Sequence, residues 1–207
     1  MSKFYPKLIG HLQTRIRKQL ADSTITINEL LVDTGIFSFV SGGGIKYHVD
    51  NEYGRKVGLL PIKISESLIY WLSINLSHNT STKTIKGISI AVYSDNNFIK
   101  LFRAEWANNE LKYDHAQPHW HIHPKKTYND KKEWHEEEES IFFEDAEETI
   151  KEKIENLHFA MSAPWHKKES HIVTLSKSQD AEILNWIEGV LNYIFKELKY
   201  IHDKSMS

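Results

Sequence analysis

The stretch Asp114-His115-Ala116-Gln117-Pro118-His119-Trp120-His121-Ile122-His123-Pro124 gathers four of the chain's twelve histidines into nine residues. Imidazole titrates close to neutrality and is a common ligand of divalent metals, so such a cluster suits acid–base work or the holding of an ion. Side chains alternate between faces along a strand. Read as a strand, the stretch puts Gln117, His119, His121 and His123 on one face, and Trp120 and Ile122 on the other. The apolar pair can then pack on a core while three imidazoles line a groove.

Spacing limits what the imidazoles can share. Residues two apart on a strand have Cα atoms roughly 6.6 Å apart, close enough for two imidazoles to converge on one Zn²⁺-like ion at about 2.0–2.1 Å per bond. Residues four apart are separated by about 13 Å, too far for three successive histidines to chelate one ion comfortably. The expected metal pair is therefore His119 with His121, or His121 with His123. A further ligand must come from elsewhere: His115, His158, or a carboxylate of Asp114 or Glu144. Without a metal, one neutral imidazole can accept a proton while a protonated neighbour donates one, which suits phosphodiester cleavage. A histidine can also attack phosphorus directly. The plainer alternatives are a binding surface without chemistry, or a polar strand face whose surface histidines make at most an accidental metal-chelating patch. Arg103 and Glu105 share a face of the preceding strand; if that is the histidine face, Arg103 is placed to hold a phosphate. The register of the two strands decides this, and the sequence does not fix it.

The elements that must position these residues read as one α+β domain: an antiparallel sheet meander flanked by N-terminal and C-terminal helices. Residues 1–35 form a helical N-terminal segment, 36–124 the sheet, and 125–207 a charged loop and C-terminal helices. Leu8, Ile9, Leu12, Ile16 and Leu20 repeat at helical spacing behind Pro6, which predicts a helix over 5–20. A second short helix is expected over 27–32. The β-rich runs 36–40 and 45–49 flank Gly42-Gly43-Gly44 and read as a hairpin. No Gly-Lys-Ser/Thr ending follows the glycines, so the phosphate-loop pattern is absent. Residues 54–61 read as a connection. Alternation over 68–76, 88–93 and 98–106 predicts three long strands, to which the histidine strand adds. After the charged stretch 125–139, a helix is expected over 140–155. Leu157-His158-Phe159-Ala160-Met161 then reads as a short strand whose His158 is either a hydrogen-bonded core histidine or a residue brought to the histidine face. The last helix opens on a capping box of Ser176 and Gln179, and Ile183, Ile187, Val190, Leu191, Ile194, Leu198 and Ile201 form its buried stripe.

Composition bounds the function classes. At 207 residues with 40% apolar and 12% aromatic content, the chain supports a substantial core. A formal charge of −2 gives no general drive toward nucleic acid or anionic membranes. With no cysteine, thiolate metal sites, disulfides and a cysteine nucleophile are excluded, and any metal is held by imidazole and carboxylate. No apolar run approaches the roughly 20 residues that span a bilayer, so the expectation is a soluble cytoplasmic protein.

Two resemblances attach to these residues. His119-Trp120-His121-Ile122-His123, with Ala116-Gln117 upstream, resembles the central pattern of the histidine-triad nucleotide hydrolases and transferases. That resemblance implies His121 as a nucleophile toward an α-phosphate, supported by His119 and His123. Pro124-Lys125 departs from it by replacing two apolar residues, as does the long acidic tail. More loosely, the Arg103 strand followed by an acidic residue and His-x-His is similar to uncharacterised bacterial families, some found in toxin–antitoxin or phage-defence settings. This implies a small component of a multi-protein system acting on RNA or nucleotides.

The expected function is therefore a phosphodiester- or nucleotide-directed hydrolase, with RNA among its candidate substrates. Its site would be built on His119, His121, His123 and Arg103, with or without a divalent metal such as Zn²⁺ held by members of the set His119, His121, His123 and His158. The alternative is a non-catalytic partner or regulatory subunit that docks through the acidic tract 136–148.

Overall fold

The computed structural model describes residues 10, 13–14, 27–33, 35–41, 47–50, 56–65, 69–79, 81–82, 84–94, 98–107, 117–122, 158–161, 175 and 180–205. Their frame is an eight-stranded antiparallel sheet with one long helix. In chain order the strands are β1 (Ile27–Asp33), β2 (Ile36–Ser41), β3 (His48–Asp50), β4 (Lys56–Gly58), β5 (Leu60–Lys63), β6 (Ile69–His78), β7 (Ile85–Tyr93), β8 (Lys100–Ala107), β9 (His119–Ile122) and β10 (His158–Ala160). The helix α1 runs over Asp180–Ser205. The sheet order is β1-β2-β6-β7-β8-β9-β10, and β5 also pairs with β6. The strands β3 and β4 form a separate two-stranded sheet.

Alternation along the three long central strands produces two unlike faces. One carries Leu72, Ile74 and Leu76 of β6, Ile88, Ile90 and Val92 of β7, and Ala104 and Trp106 of β8, all in the main buried core. The helix covers this face with Ile183, Ile187, Val190, Leu191, Ile194 and Leu198, which recur at the three- and four-residue spacing of a single helical stripe. Each fully buried aliphatic contributes about 1.5–3 kcal/mol by leaving water. Trp106 packs against Trp186 with ring centroids 5.5 Å apart, and Trp120 of β9 against Tyr193 at 5.6 Å. Asp180 and Glu182 in the first turn of α1, and His202 and Lys204 in the last, complement the helix dipole.

The opposite face is mostly polar beyond a small apolar cluster of Leu59, Trp71, Ala91 and Tyr93, against which Tyr47 and Phe98 pack. Strand register draws two rows across it. Ser73, Ala91, Arg103 and His121 lie side by side on β6, β7, β8 and β9; Asn75, Ser89, Glu105 and His119 form the next row.

Several expectations change. Residues 27–32 form a strand, β1, not a helix, because pairing with β2 decides a short apolar run that either period can accommodate. The hairpin partner of 36–40 is likewise β1 and not 45–49. A two-residue connection ending at Gly35 joins β1 to β2, and the positive φ of 75° there is one that glycine adopts without steric cost. Residues 54–61 hold β4 and the start of β5 rather than a plain connection. Glycine is required at position 58, where a Cβ would come within 2.3 Å of Val40 Cγ1, and the Gly58 N–H donates to Ser38 Oγ at 3.0 Å. The sheet extends past 36–124 at both ends, through β1 and β10. Ile201 is 55% exposed, so the buried stripe of α1 ends at Leu198. The helices expected over 5–20 and 140–155, the triple glycine, the charged stretch 125–139, the tract 136–148 and the Ser176–Gln179 box lie outside the described residues, apart from Gly10, Gln13 and Thr14. Among the described residues, no helix is long and apolar enough to cross a membrane.

Candidate metal centre

The candidate site stands where β8 and β9 pair. Arg103 lies opposite His121, and Glu105 opposite His119. Directly opposed residues on adjacent strands have Cβ atoms about 4.5–5.5 Å apart, and alternate residues on one strand share a face. A four-residue block therefore closes without any excursion from regular strand geometry. On the far side of β9, Trp120 packs against Phe102 at a centroid distance of 5.8 Å, which fixes the rotation of the strand that turns His119 and His121 toward the polar face.

Within the block, polar atoms converge. His119 Nε2 lies 2.7 Å from His121 Nε2, and the two rings meet at 60° with centroids 4.5 Å apart. Glu105 Oε2 is 3.2 Å from His121 Nε2. Arg103 Nη2 is 2.8 Å from Glu105 Oε2 and 3.0 Å from His121 Nε2. His119 and His121 are buried, whereas Arg103 and Glu105 retain partial exposure at 27% and 28% of their side-chain surface. The histidines lie at the buried end of the block, and the charged pair at its partly exposed end.

Electrostatics keep the carboxylate ionised. Burial alone would raise the Glu105 carboxyl, but the His121 hydrogen bond, the Arg103 charge and the two imidazoles outweigh it and hold the carboxyl at about 2. Nearby, burial raises the Tyr93 phenol above its ordinary value, against a smaller pull from Ser73 and the Arg103 charge. Glu105 thus stays a ready anionic ligand across the physiological range, and Tyr93 stays a neutral phenol.

One ligand atom each from Glu105, His119 and His121 lies within 4.8 Å of the other two. Tetrahedral zinc with bonds of about 2.0–2.1 Å separates its ligand atoms by roughly 3.3 Å. The Glu105–His121 separation of 3.2 Å already matches, and the two imidazole nitrogens at 2.7 Å need to part by about 0.6 Å. Two histidines and one carboxylate make a donor set used for catalytic Zn²⁺ and for non-haem Fe²⁺, with coordination positions left for water or substrate. The residues present fit a divalent ion.

Of the residues singled out in the sequence, His119, His121 and Arg103 come together. His123, His115, Asp114 and Glu144 lie outside the described residues. The backbone of His158 pairs with that of His121 in the β9–β10 register, so its position adjoins the site. Gln117 serves a different purpose: it is buried, and its Oε1 accepts a hydrogen bond from the Ala107 N–H at 2.8 Å, tying the start of β9 to the end of β8. The third candidate ligand, Glu105, has no role that the sequence pattern alone assigns. The Arg-x-Glu alternation on β8 was visible, but only the register across the intervening connection sets it beside His-x-His. Compared with known proteins, the chain matches no family model, no curated protein and no solved structure.

Proposed function

We propose that the protein is a metal-dependent hydrolase of phosphate esters, with nucleotides or RNA as its substrate class, and that Glu105, His119 and His121 hold its divalent ion. The observation that carries this reading is the convergence of those three ligand atoms beside the Arg103 guanidinium. A bound ion would lower the pKa of a coordinated water toward about 7 and polarise a phosphoryl oxygen. Arg103 adds a planar fork of donors suited to a phosphate, so the site pairs two cationic groups for an anionic ester. His119 and His121 also orient each other, and their burial limits competing bulk water.

The test is metal analysis of the purified protein, followed by hydrolysis assays on bis(p-nitrophenyl) phosphate, nucleotides and short RNAs, with and without added Zn²⁺ or Mn²⁺. Metal-dependent cleavage that Glu105→Gln and His121→Ala each reduce by more than about 100-fold supports the reading, a loss beyond that of an outer-sphere partner. Stoichiometric metal without cleavage of any phosphate ester would remove the hydrolase and leave a metal-binding protein.

A second reading is favoured by the 2.7 Å contact between the imidazole nitrogens, which requires one ring to donate and the other to accept. Such a pair can act as general base and acid without a metal, with Arg103 holding the phosphate, a role distinct from the nucleophile that the histidine-triad resemblance implies for His121. Cleavage that survives exhaustive chelation but not His121→Ala selects this second reading over the first.

A further inference from the structure

Arg103 reaches into the centre of the site, and its contacts define what a metal must replace. Its Nη2 approaches both Glu105 Oε2, at 2.8 Å, and His121 Nε2, at 3.0 Å, which are two of the three candidate ligand atoms. A carboxylate oxygen has lone pairs for two partners; an imidazole nitrogen has one. His121 Nε2 also lies 2.7 Å from His119 Nε2 and 3.2 Å from Glu105 Oε2. It can accept from Arg103, carry its own proton toward one of those neighbours, or bind a metal, and these states are mutually exclusive. The guanidinium is also positioned to leave. Its side chain is 27% exposed, it is long, and its Nε, though shielded from solvent, has no hydrogen-bond partner. The fork is not fully engaged where it lies.

We infer that Arg103 is an internal stand-in cation. It holds Glu105 and His121 together in the absence of metal, is displaced from His121 when a divalent ion binds, and then grips the phosphate of the substrate. This inference rests on the metal reading of the site. Displacement puts a guanidinium beside a divalent ion, and the repulsion between them is relieved by an anion bridging both. Metal and phosphate therefore reinforce each other's binding through Arg103, and by linkage the reinforcement is the same in both directions. The substrate this favours presents two oxygens of one anionic phosphate group, one toward the ion and one toward Arg103.

The deciding measurement is Zn²⁺ affinity by chelator competition at fixed neutral pH, on the full chain, with and without methylphosphonate, which has no ester to cleave. Wild type, Arg103→Met and Arg103→Lys are compared after circular dichroism has shown each to be folded. The expected result is Zn²⁺ binding at least about fivefold tighter in Arg103→Met, a change at the lower end of typical coupling between sites. Methylphosphonate should tighten Zn²⁺ binding in wild type but not in Arg103→Met, with partial return of the coupling in Arg103→Lys. Unchanged or weaker Zn²⁺ affinity in Arg103→Met, or coupling to methylphosphonate that survives there, overturns the stand-in role while leaving the metal site intact. Absence of Zn²⁺ binding in all three proteins removes the metal reading itself, and the stand-in role with it.

Discussion

The two faces of the central sheet are built from the same strands and obey opposite rules. On the helix-covered face, Leu72, Ile74, Leu76, Ile88, Ile90, Val92, Ala104 and Trp106 are buried among apolar neighbours and held by volume alone. On the other face, Arg103, Glu105, His119 and His121 come from alternate positions of β8 and β9, and contacts between specific atoms hold them. Burying a charge or an imidazole costs free energy unless a partner compensates. The polar face therefore lowers its cost by pairing, and the pairing brings ligand atoms together. The apolar face stabilises the fold; the polar face spends part of that stability on a site.

The largest expected effect breaks the apolar face. Ile194 on α1 is fully buried in the main core. Ile194→Ala should lower the unfolding free energy by about 2–5 kcal/mol, the range for removing a large core aliphatic. Zn²⁺ affinity per folded molecule should stay at the wild-type value, since the helix lies across the sheet from the site. Chemical denaturation paired with metal titration checks both. A change in metal affinity would mean that the two faces are not separable.

The polar face is probed through acid. The Glu105 carboxyl is held at about 2 in the folded, metal-free chain, below its ordinary value of 4.5. Between those values the unfolded chain binds a proton that the folded chain does not, so stability rises with pH across the window. The contribution of Glu105 is fully present above about pH 4.5 and is lost as pH falls through about 2. Denaturation of wild type and Glu105→Gln in chelator, over a pH series, should show a wild-type advantage at pH 6 that shrinks steadily below 4.5. A difference between the two proteins that does not vary with pH would mean the carboxylate is not held by Arg103 and the histidines.

How much of this could be read from the chain alone depends on how local the determinants were. The strands β6, β7 and β8 were legible because eight to ten residues of alternation leave no competing period. So was the division of β9 into Trp120 on one side and His119 with His121 on the other. The strand β1 was not, since Ile27-Asn28-Glu29-Leu30-Leu31-Val32 is short and fits a helix or a strand until β2 pairs with it. Three successive glycines at 42–44 suggest a hairpin between 36–40 and 45–49, whereas β2 pairs with β1 through a connection ending at Gly35. Glu105 was hidden for a related reason: its role depends on a register between β8 and β9 that no local pattern specifies.

That register has its own handle. The buried Gln117 side chain accepts from the Ala107 N–H at 2.8 Å and so pins one end of the β8–β9 pair. Gln117→Leu leaves this backbone donor without its partner, at a cost of about 1–3 kcal/mol. Because the pin sits two residues before His119, the variant should also bind Zn²⁺ more weakly, while Ile194→Ala does not. Loss of stability with unchanged metal affinity would show that Trp120 and the strand pairing fix the register without Gln117.

The smallest effect is expected at Ile201, and it marks where the apolar rule ends. By helical spacing Ile201 continues the stripe Ile183, Ile187, Val190, Leu191, Ile194 and Leu198, and pattern alone assigns it to the core. In the fold it is 55% exposed, beside Tyr200 at 59%, whereas Leu198 one turn earlier is buried. The period of a helix says which side of it faces inward, but the extent of the sheet decides how many turns find something to pack against. Ile201→Lys should therefore change the unfolding free energy by no more than about 0.5 kcal/mol, as for a surface substitution away from special features. Its side chain gives up little buried area, and a lysine in the last turn of α1 is favoured by the helix dipole. The same denaturation experiment that reads Ile194→Ala reads this variant. A loss above about 1 kcal/mol would mean that Ile201 is covered in solution, and that the stripe extends a full turn beyond Leu198.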